Sequence, residues 1–195
     1  MNFSERVRLM LLQTKLGIHC NLIYSSLQSA VLNNLAIFEM KDYSLLLRII
    51  EILQSRRYDV KTMACAIFEE FESPRRIAEF AEICGPQDAI RVIRISSQVG
   101  FRSDSLASVC SDKLCSSLDQ RTPQELIDVL EWMSKFGYSH TQLIDNIRDV
   151  ILVIPMTDDE LETIVRYIIK VRDGDIGPKE EFLQRLVKFR LATVD

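Results

Sequence analysis

The sequence has few of the residues that build long loops, turn-rich sheets or disulfide frameworks. Among 195 residues there are six glycines and five prolines, so long irregular loops and β-rich turn networks are not expected. The five cysteines are scattered, odd in number and without CxxC spacing. This pattern argues against a secreted disulfide framework and favours a reducing compartment. With a formal net charge of -4, the chain has no overall basic field that would attract nucleic acid or lipid.

One long stretch lacks charge altogether. Residues 16–38 contain no charged side chain, and the run is long enough to cross a bilayer. The polar residues inside it are His19, Asn21, Ser25, Ser26, Gln28, Ser29, Asn33 and Asn34. Because so many polar groups make insertion costly, we predict a buried or interfacial helix and no integral membrane span.

Side chains that commonly carry catalysis or bind metal are also scarce. The two histidines, His19 and His140, have no second ligand at metal-binding spacing. Cys110 and Cys115 lack the other half of a Cys₄ zinc site. No phosphate-binding loop, dinucleotide fingerprint, nucleophile elbow or zinc-protease motif is present. We therefore expect a protein that is not an enzyme, with no catalytic, metal or cofactor-binding residues, no cofactor and no small-molecule substrate.

What the sequence does contain is helical periodicity almost throughout. In the segment Leu45–Leu53, apolar residues recur at steps of three and four, which is the period of one helix face. Thr122–Glu125 and Thr157–Glu160 have the pattern of helix-starting capping boxes. Gly100 and Gly137 stand where a left-handed residue ends a helix. The predicted fold class is all-α.

The helices also repeat. At an offset of 37 residues, Gln87–Ile93 aligns with Gln124–Leu130, and the corner Gly100-Phe101 then aligns with Gly137-Tyr138. The shared unit is a helix, a Gly-aromatic corner and a second helix.

Two further pairs extend this pattern. Residues 44–71 form one at an offset of 43, with Arg57-Tyr58 at its corner, and residues 157–189 form another at an offset of about 35. We predict one continuous α-solenoid of stacked antiparallel hairpins, with about four repeats over residues 42–195. Residues 1–41 are predicted to be N-terminal helices that form a degenerate or capping unit. A compact helical bundle is the alternative architecture.

Hairpins of this length, with a Ser-Pro or Thr-Pro start and a Gly-aromatic corner, resemble organellar helical-repeat families. The resemblance is to heptatricopeptide, octotricopeptide and pentatricopeptide repeats, and it is best over Gly85–Ile154. It implies a mitochondrial α-solenoid that either binds RNA or serves as an accessory subunit of a large assembly. A cytoplasmic location is the alternative. The chain departs from the RNA-processing members because it has too few repeats to read a long RNA.

Two functions follow as predictions. The first is a non-catalytic scaffold or accessory subunit that binds partner proteins in a large mitochondrial complex. By resemblance the complex would be the ATP synthase, a respiratory complex or the mitoribosome. The candidate partner contacts come from the uncharged stretch and are Leu22, Ile23, Tyr24, Leu27 and Leu35. The same stretch could instead be a capping helix pair packed inside the core.

The second predicted function is binding of mitochondrial RNA or rRNA. Its candidate contacts are Arg48, Arg91 and Arg94. The equivalent position in the next repeat is Asp128, so the row changes sign and no continuous basic stripe is evident. RNA is therefore secondary to protein partners in this prediction.

Overall fold

In the computed structural model, the described part of the chain is all-α. The described residues are 21–35 and 38–171 (only the backbone at 21–23), with Glu5, Arg8, Leu9, Leu12, Gln13 and Leu16. Within them there is no strand, which confirms the predicted fold class. The helices are α1 (Asn21–Asn34), α2 (Met40–Ser55), α3 (Lys61–Phe71), α4 (Pro74–Ile83), α5 (Pro86–Val99), α6 (Asp104–Cys115), the 3₁₀-helix Leu118–Gln120, α7 (Pro123–Phe136), α8 (Thr141–Val150) and α9 (Asp158–Val171).

The chain divides into two compact units, Met1–Lys113 and Leu114–Asp195. In the first unit α5 packs on α2 and α3, α4 packs on the same two helices, and α1 packs on α3. In the second unit α9 packs on α7, and α8 contacts the 3₁₀-helix. The first helices of neighbouring predicted hairpins, α2 with α5 and α7 with α9, are thus in contact. Such contacts occur both in stacked hairpins and in bundles.

Helix α4 accounts for the uneven spacing of the predicted repeats. It stands between the hairpin α2–α3 and the hairpin α5–α6, and Ser73 caps its start by accepting a hydrogen bond from the Arg76 backbone N–H at 3.3 Å. After α6 the short 3₁₀-helix occupies the corresponding place. Because a full helix is longer than a 3₁₀ turn, the offset between the first and second predicted hairpins exceeds the offset between the second and third.

No helix in the described ranges combines the length and the apolar composition needed to cross a bilayer.

Three of the predicted corners lie in the described part of the chain, and each has a left-handed residue after the first helix of its hairpin. The remainder of the fourth predicted hairpin, residues 172–189, lies outside the described residues. Gly100 has φ +76°, Gly137 has φ +69°, and Arg57 has φ +64°. The next residue in each case donates its backbone N–H to a carbonyl near the end of the preceding helix. These bonds are Tyr58 to Leu53 at 3.1 Å, Phe101 to Ser96 at 3.0 Å and Tyr138 to Met133 at 2.9 Å. These three corners therefore share a positive φ and the same type of backbone hydrogen bond, and only the first lacks glycine.

The aromatic residues of the first two corners pack on rings from earlier in the chain. Tyr58 lies 5.2 Å from Tyr24 of α1, and Phe101 lies 5.3 Å from Phe68 of α3, measured between ring centroids. Each corner thereby fixes its hairpin to a helix that precedes it.

The unusual corner residue predicts a stabilising substitution. We expect Arg57→Gly to raise the free energy of unfolding by about 1 kcal/mol, because glycine adopts positive φ without the steric cost that other L-residues have. Gly100→Ala is the matched control and should lower it by about 1 kcal/mol. An added Cβ at Gly100 would meet no atom within 4 Å, so only backbone strain is tested. Urea denaturation measures both, and a loss of stability in Arg57→Gly would contradict the expectation.

Each of the two units contains a buried cluster of side chains that joins its elements. In the first, the rings of Tyr43, Phe71 and Phe80 pack together where α2, α3 and α4 meet. In the second, the side chain of Arg121 is buried at the start of α7, with its Nη1 3.8 Å from Oε2 of Glu125. The same Glu125 oxygen accepts the backbone N–H of the helix-capping residue Thr122 at 3.2 Å. This carboxylate therefore serves both the helix cap and a buried guanidinium.

Candidate functional site

The predicted partner contacts in the uncharged stretch are largely used for packing. Leu27 is only 3% exposed. The half-buried Tyr24 donates its hydroxyl to the backbone oxygen of Asp59 and packs against Tyr58. Leu35 is half-buried, and its carbonyl accepts the Tyr43 hydroxyl at 3.1 Å.

The outward side of α1 is mainly polar. The exposed residues at its described positions are Ser25, Ser26, Ser29, Leu32 and Asn33. The side chains of Leu22 and Ile23 lie outside the described residues. As described, α1 presents little contiguous apolar surface.

The arginines predicted to contact RNA lie on α2 and α5, where acidic groups accompany them. Arg91 binds Asp88 through Nη1 at 2.7 Å and Glu51 through Nε at 3.3 Å. The Nη1 of Arg94 lies 3.6 Å from the other Glu51 oxygen. Arg48 is half-buried on α2. A phosphate at Arg91 or Arg94 would have to displace carboxylates that already neutralise these cations.

The same ion pairs hold two helices of the first unit together. Ser44 of α2 donates its hydroxyl to Asp88 of α5 at 2.9 Å, and Glu51 of α2 receives both arginines of α5. The arrangement explains why basic residues occur here without forming a basic track. Their positive charge is neutralised in ion pairs with carboxylates, and these ion pairs join the two helices.

The thiols in the described part of the first unit are buried or half-buried, and burial raises their pKa values. Burial, with a smaller contribution from Asp88, raises the pKa of Cys84 to about 12. Burial also raises the pKa of the fully enclosed Cys110 well above its usual range, and that of the half-buried Cys65 to a lesser extent. Since the thiolate is the nucleophile, these shifts oppose reactivity. Within the described residues, no three or more His, Cys, Asp or Glu side chains are placed to hold a metal ion.

Thiol labelling tests this description. In the native chain we expect Cys84 and Cys110 to react with iodoacetamide at least tenfold more slowly than the half-buried Cys65 and Cys115, because the reagent reaches them only through local opening. Peptide mapping by mass spectrometry gives the rate at each site. Full labelling in urea is the control, and equal rates in the native chain would show that the thiols are accessible.

Among the described residues of the second unit, the most exposed large apolar side chain lies between α8 and α9. Residues 150–156 read Val-Ile-Leu-Val-Ile-Pro-Met, seven apolar residues without interruption, and are called the apolar loop below. Val153 is 73% exposed, more than any other large apolar side chain in the described part of the chain. Pro155 is also exposed, and Leu152 and Ile154 are half-buried. Interhelical connections are normally polar, so this composition is unusual.

Backbone hydrogen bonds connect the first half of the apolar loop to the end of α8. Val153 and Ile154 both donate to the carbonyl of Val150, at 3.0 and 3.1 Å. Ile151 donates to Ile147 at 3.0 Å, and its side chain is buried. The loop is therefore a compact turn anchored on Ile151, and its exposed side chains do not serve the backbone.

Acidic residues flank the apolar loop on both sides. Asp149 precedes it, Asp158 and Asp159 follow it, and all three are exposed. Hydrogen bonds from the backbone and side chain of Thr157 lower the pKa of Glu160, the next residue along α9.

The nearest basic residue along the chain is itself paired. Arg148 lies 3.4 Å from Asp145, measured from Nη1 to Oδ1. Along the chain, residues 145–161 around the apolar loop thus contain more acidic than basic side chains.

The apolar loop was not among the predicted site residues. Seven consecutive apolar residues just before the Thr157 cap were the available signal.

No protein-family model matches the chain, and a search of curated proteins found no match.

Proposed function

We propose that the chain is a non-catalytic helical-repeat scaffold that binds partner proteins, and that the apolar loop is a principal contact surface. The observation that carries the proposal is the exposure of Val153. This side chain is 73% exposed although it lies in an uninterrupted apolar run. Burial of apolar surface is favourable by roughly 25 cal/mol per Å², and contiguous exposed apolar patches commonly mark interaction sites. A partner that covers the loop would gain this free energy.

The proposed architecture and cellular setting do not rest on the apolar loop. The α-solenoid arrangement and membership of a large mitochondrial assembly rest on the resemblance of the hairpins to organellar helical repeats. The contacts of α2 with α5 and of α7 with α9 are those that stacked hairpins require.

RNA binding is the weaker proposal. Two of its three candidate arginines, Arg91 and Arg94, are within ion-pair distance of Glu51. Phosphate binding needs uncompensated basic groups along a track. Of the three candidates, Arg48 is then the one for which no ion pair with Glu51 is observed.

A charge placed in the apolar loop tests the proposal. We expect the tagged wild-type chain to migrate in a large assembly on native gels of gently lysed cells, with or without RNase. Val153→Asp should reduce the assembly-bound fraction at least tenfold, because a carboxylate in an apolar interface loses its hydration without gaining a partner.

The matched control is Ile83→Asp, at an apolar residue of the first unit that is 47% exposed. It should remain in the assembly, and both variants should keep the wild-type circular dichroism spectrum. Retention of Val153→Asp in the assembly would refute the proposed surface. Release of the wild-type chain by RNase would favour RNA binding instead.

A further inference from the structure

The acidic flanks of the apolar loop define the chemistry of what it binds. Resting on the proposed function, we infer that the loop receives a basic amphipathic segment of a partner protein. Apolar side chains of that segment would cover Val153 and its neighbours, and its Lys or Arg side chains would face the flanking carboxylates.

The charge distribution supports a basic partner. Asp149 stands at one end of the loop, and Asp158 and Asp159 stand at the other, all exposed. The only basic side chain within five residues of either end, Arg148, is within ion-pair distance of Asp145. An apolar centre with a charged, solvent-accessible rim is the usual anatomy of a protein interface. Complementary charge at such a rim selects the partner and speeds association.

The same distribution of charge argues against two other occupants of the loop, a membrane surface and a second copy of the chain. An anionic membrane surface would be repelled, because residues 145–161 contain five acidic side chains and one basic side chain. A second copy in a two-fold arrangement would bring the same patch, with Asp149 and Asp159, against itself. Like charges placed across an interface are costly. A basic segment meets neither objection.

Two synthetic helices serve as probes of the inference. Both carry the same leucine face and are about 18 residues long, so that an isolated helix can form. One has Lys and the other Glu at its polar positions. Each is titrated into the ¹⁵N-labelled full chain at low ionic strength, and the amide shifts of residues 149–159 give the affinity at the loop. We expect the Lys helix to bind at least tenfold more tightly than the Glu helix.

Salt and variants then separate the charge contribution from the apolar one. The preference for Lys should nearly vanish in 1 M salt, where the Debye length is about 3 Å. The double variant Asp149→Asn, Asp159→Asn should lose most of the preference without weakening the Glu helix. Asp119→Asn, an exposed acid of the same unit outside the loop, should leave it unchanged. Val153→Asp should abolish binding of the Glu helix.

The outcomes distinguish the inference from the function it rests on. Equal binding of both helices at the loop would overturn the basic-partner inference and leave the apolar contact surface in place. Absence of loop shifts with either helix would also overturn the inference. Loop shifts that grow with protein concentration alone would identify a second copy as the occupant and overturn it too. Failure of the proposed function is seen separately, as retention of Val153→Asp in the native assembly.

Discussion

Phe71→Ala is expected to lower the free energy of unfolding by about 3–5 kcal/mol. The Phe71 side chain is fully buried at the end of α3. Its ring centroid lies 4.6 Å from that of Phe80 and 4.9 Å from that of Tyr43. Removal of the ring leaves a cavity where three helices meet, and neighbouring rings of fixed shape fill such a space poorly.

Urea denaturation followed by circular dichroism measures the loss. Phe136→Ala is the matched control, since Phe136 is only half-buried and pairs with Tyr138 at 5.8 Å. Its loss should be less than half as large. A change below about 1 kcal/mol in Phe71→Ala would mean that the cluster repacks freely, against the behaviour of close-packed cores.

The second large effect is expected at the start of α7. Glu125→Ala should lower the free energy of unfolding by about 3–5 kcal/mol, because it leaves a buried guanidinium without its counter-charge. The side chain of Arg121 is 7% exposed, and its Nη1 has no hydrogen-bond partner within the described structure beyond this 3.8 Å ion pair. The substitution also removes the acceptor for the Thr122 backbone N–H.

The chain supplies a control at the same position of another helix. Glu160 of α9 accepts the backbone N–H of the Thr157 cap at 2.7 Å, as Glu125 accepts that of Thr122, but this bond is solvent-exposed and no buried arginine pairs with Glu160 in the described structure. Glu160→Ala should therefore lower the free energy of unfolding much less than Glu125→Ala does.

A double variant removes both charges of the buried pair. Glu125→Leu with Arg121→Met should recover most of the stability lost in Glu125→Ala, since no unpaired buried charge remains. Equal losses in Glu125→Ala and Glu160→Ala would show that the cap alone accounts for the effect. Urea midpoints at neutral pH distinguish these results.

The sequence predicted the features that are set locally. The caps at Thr122 and Thr157 and the corners at Gly100 and Gly137 were all placed correctly. Each depends on residues within one or two turns, where hydrogen bonding and backbone sterics decide the outcome. The Arg57 corner was also placed correctly, by alignment with the glycine corners.

Features set by distant contacts were harder to predict. Arg91 and Arg94 appeared available to RNA because their partner Glu51 belongs to another helix, some forty residues earlier. Helical periodicity identifies an apolar face but does not say which face a distant helix covers. Leu27 is covered, whereas Val153 is exposed.

The corner aromatics also bear on how the chain folds as it is synthesised. Tyr58 packs on Tyr24, and Phe101 packs on Phe68, so each ring finds a partner that has already left the ribosome. Every new corner can then dock on structure made earlier, without waiting for later sequence. In the first unit this favours folding from the N-terminus onwards during translation.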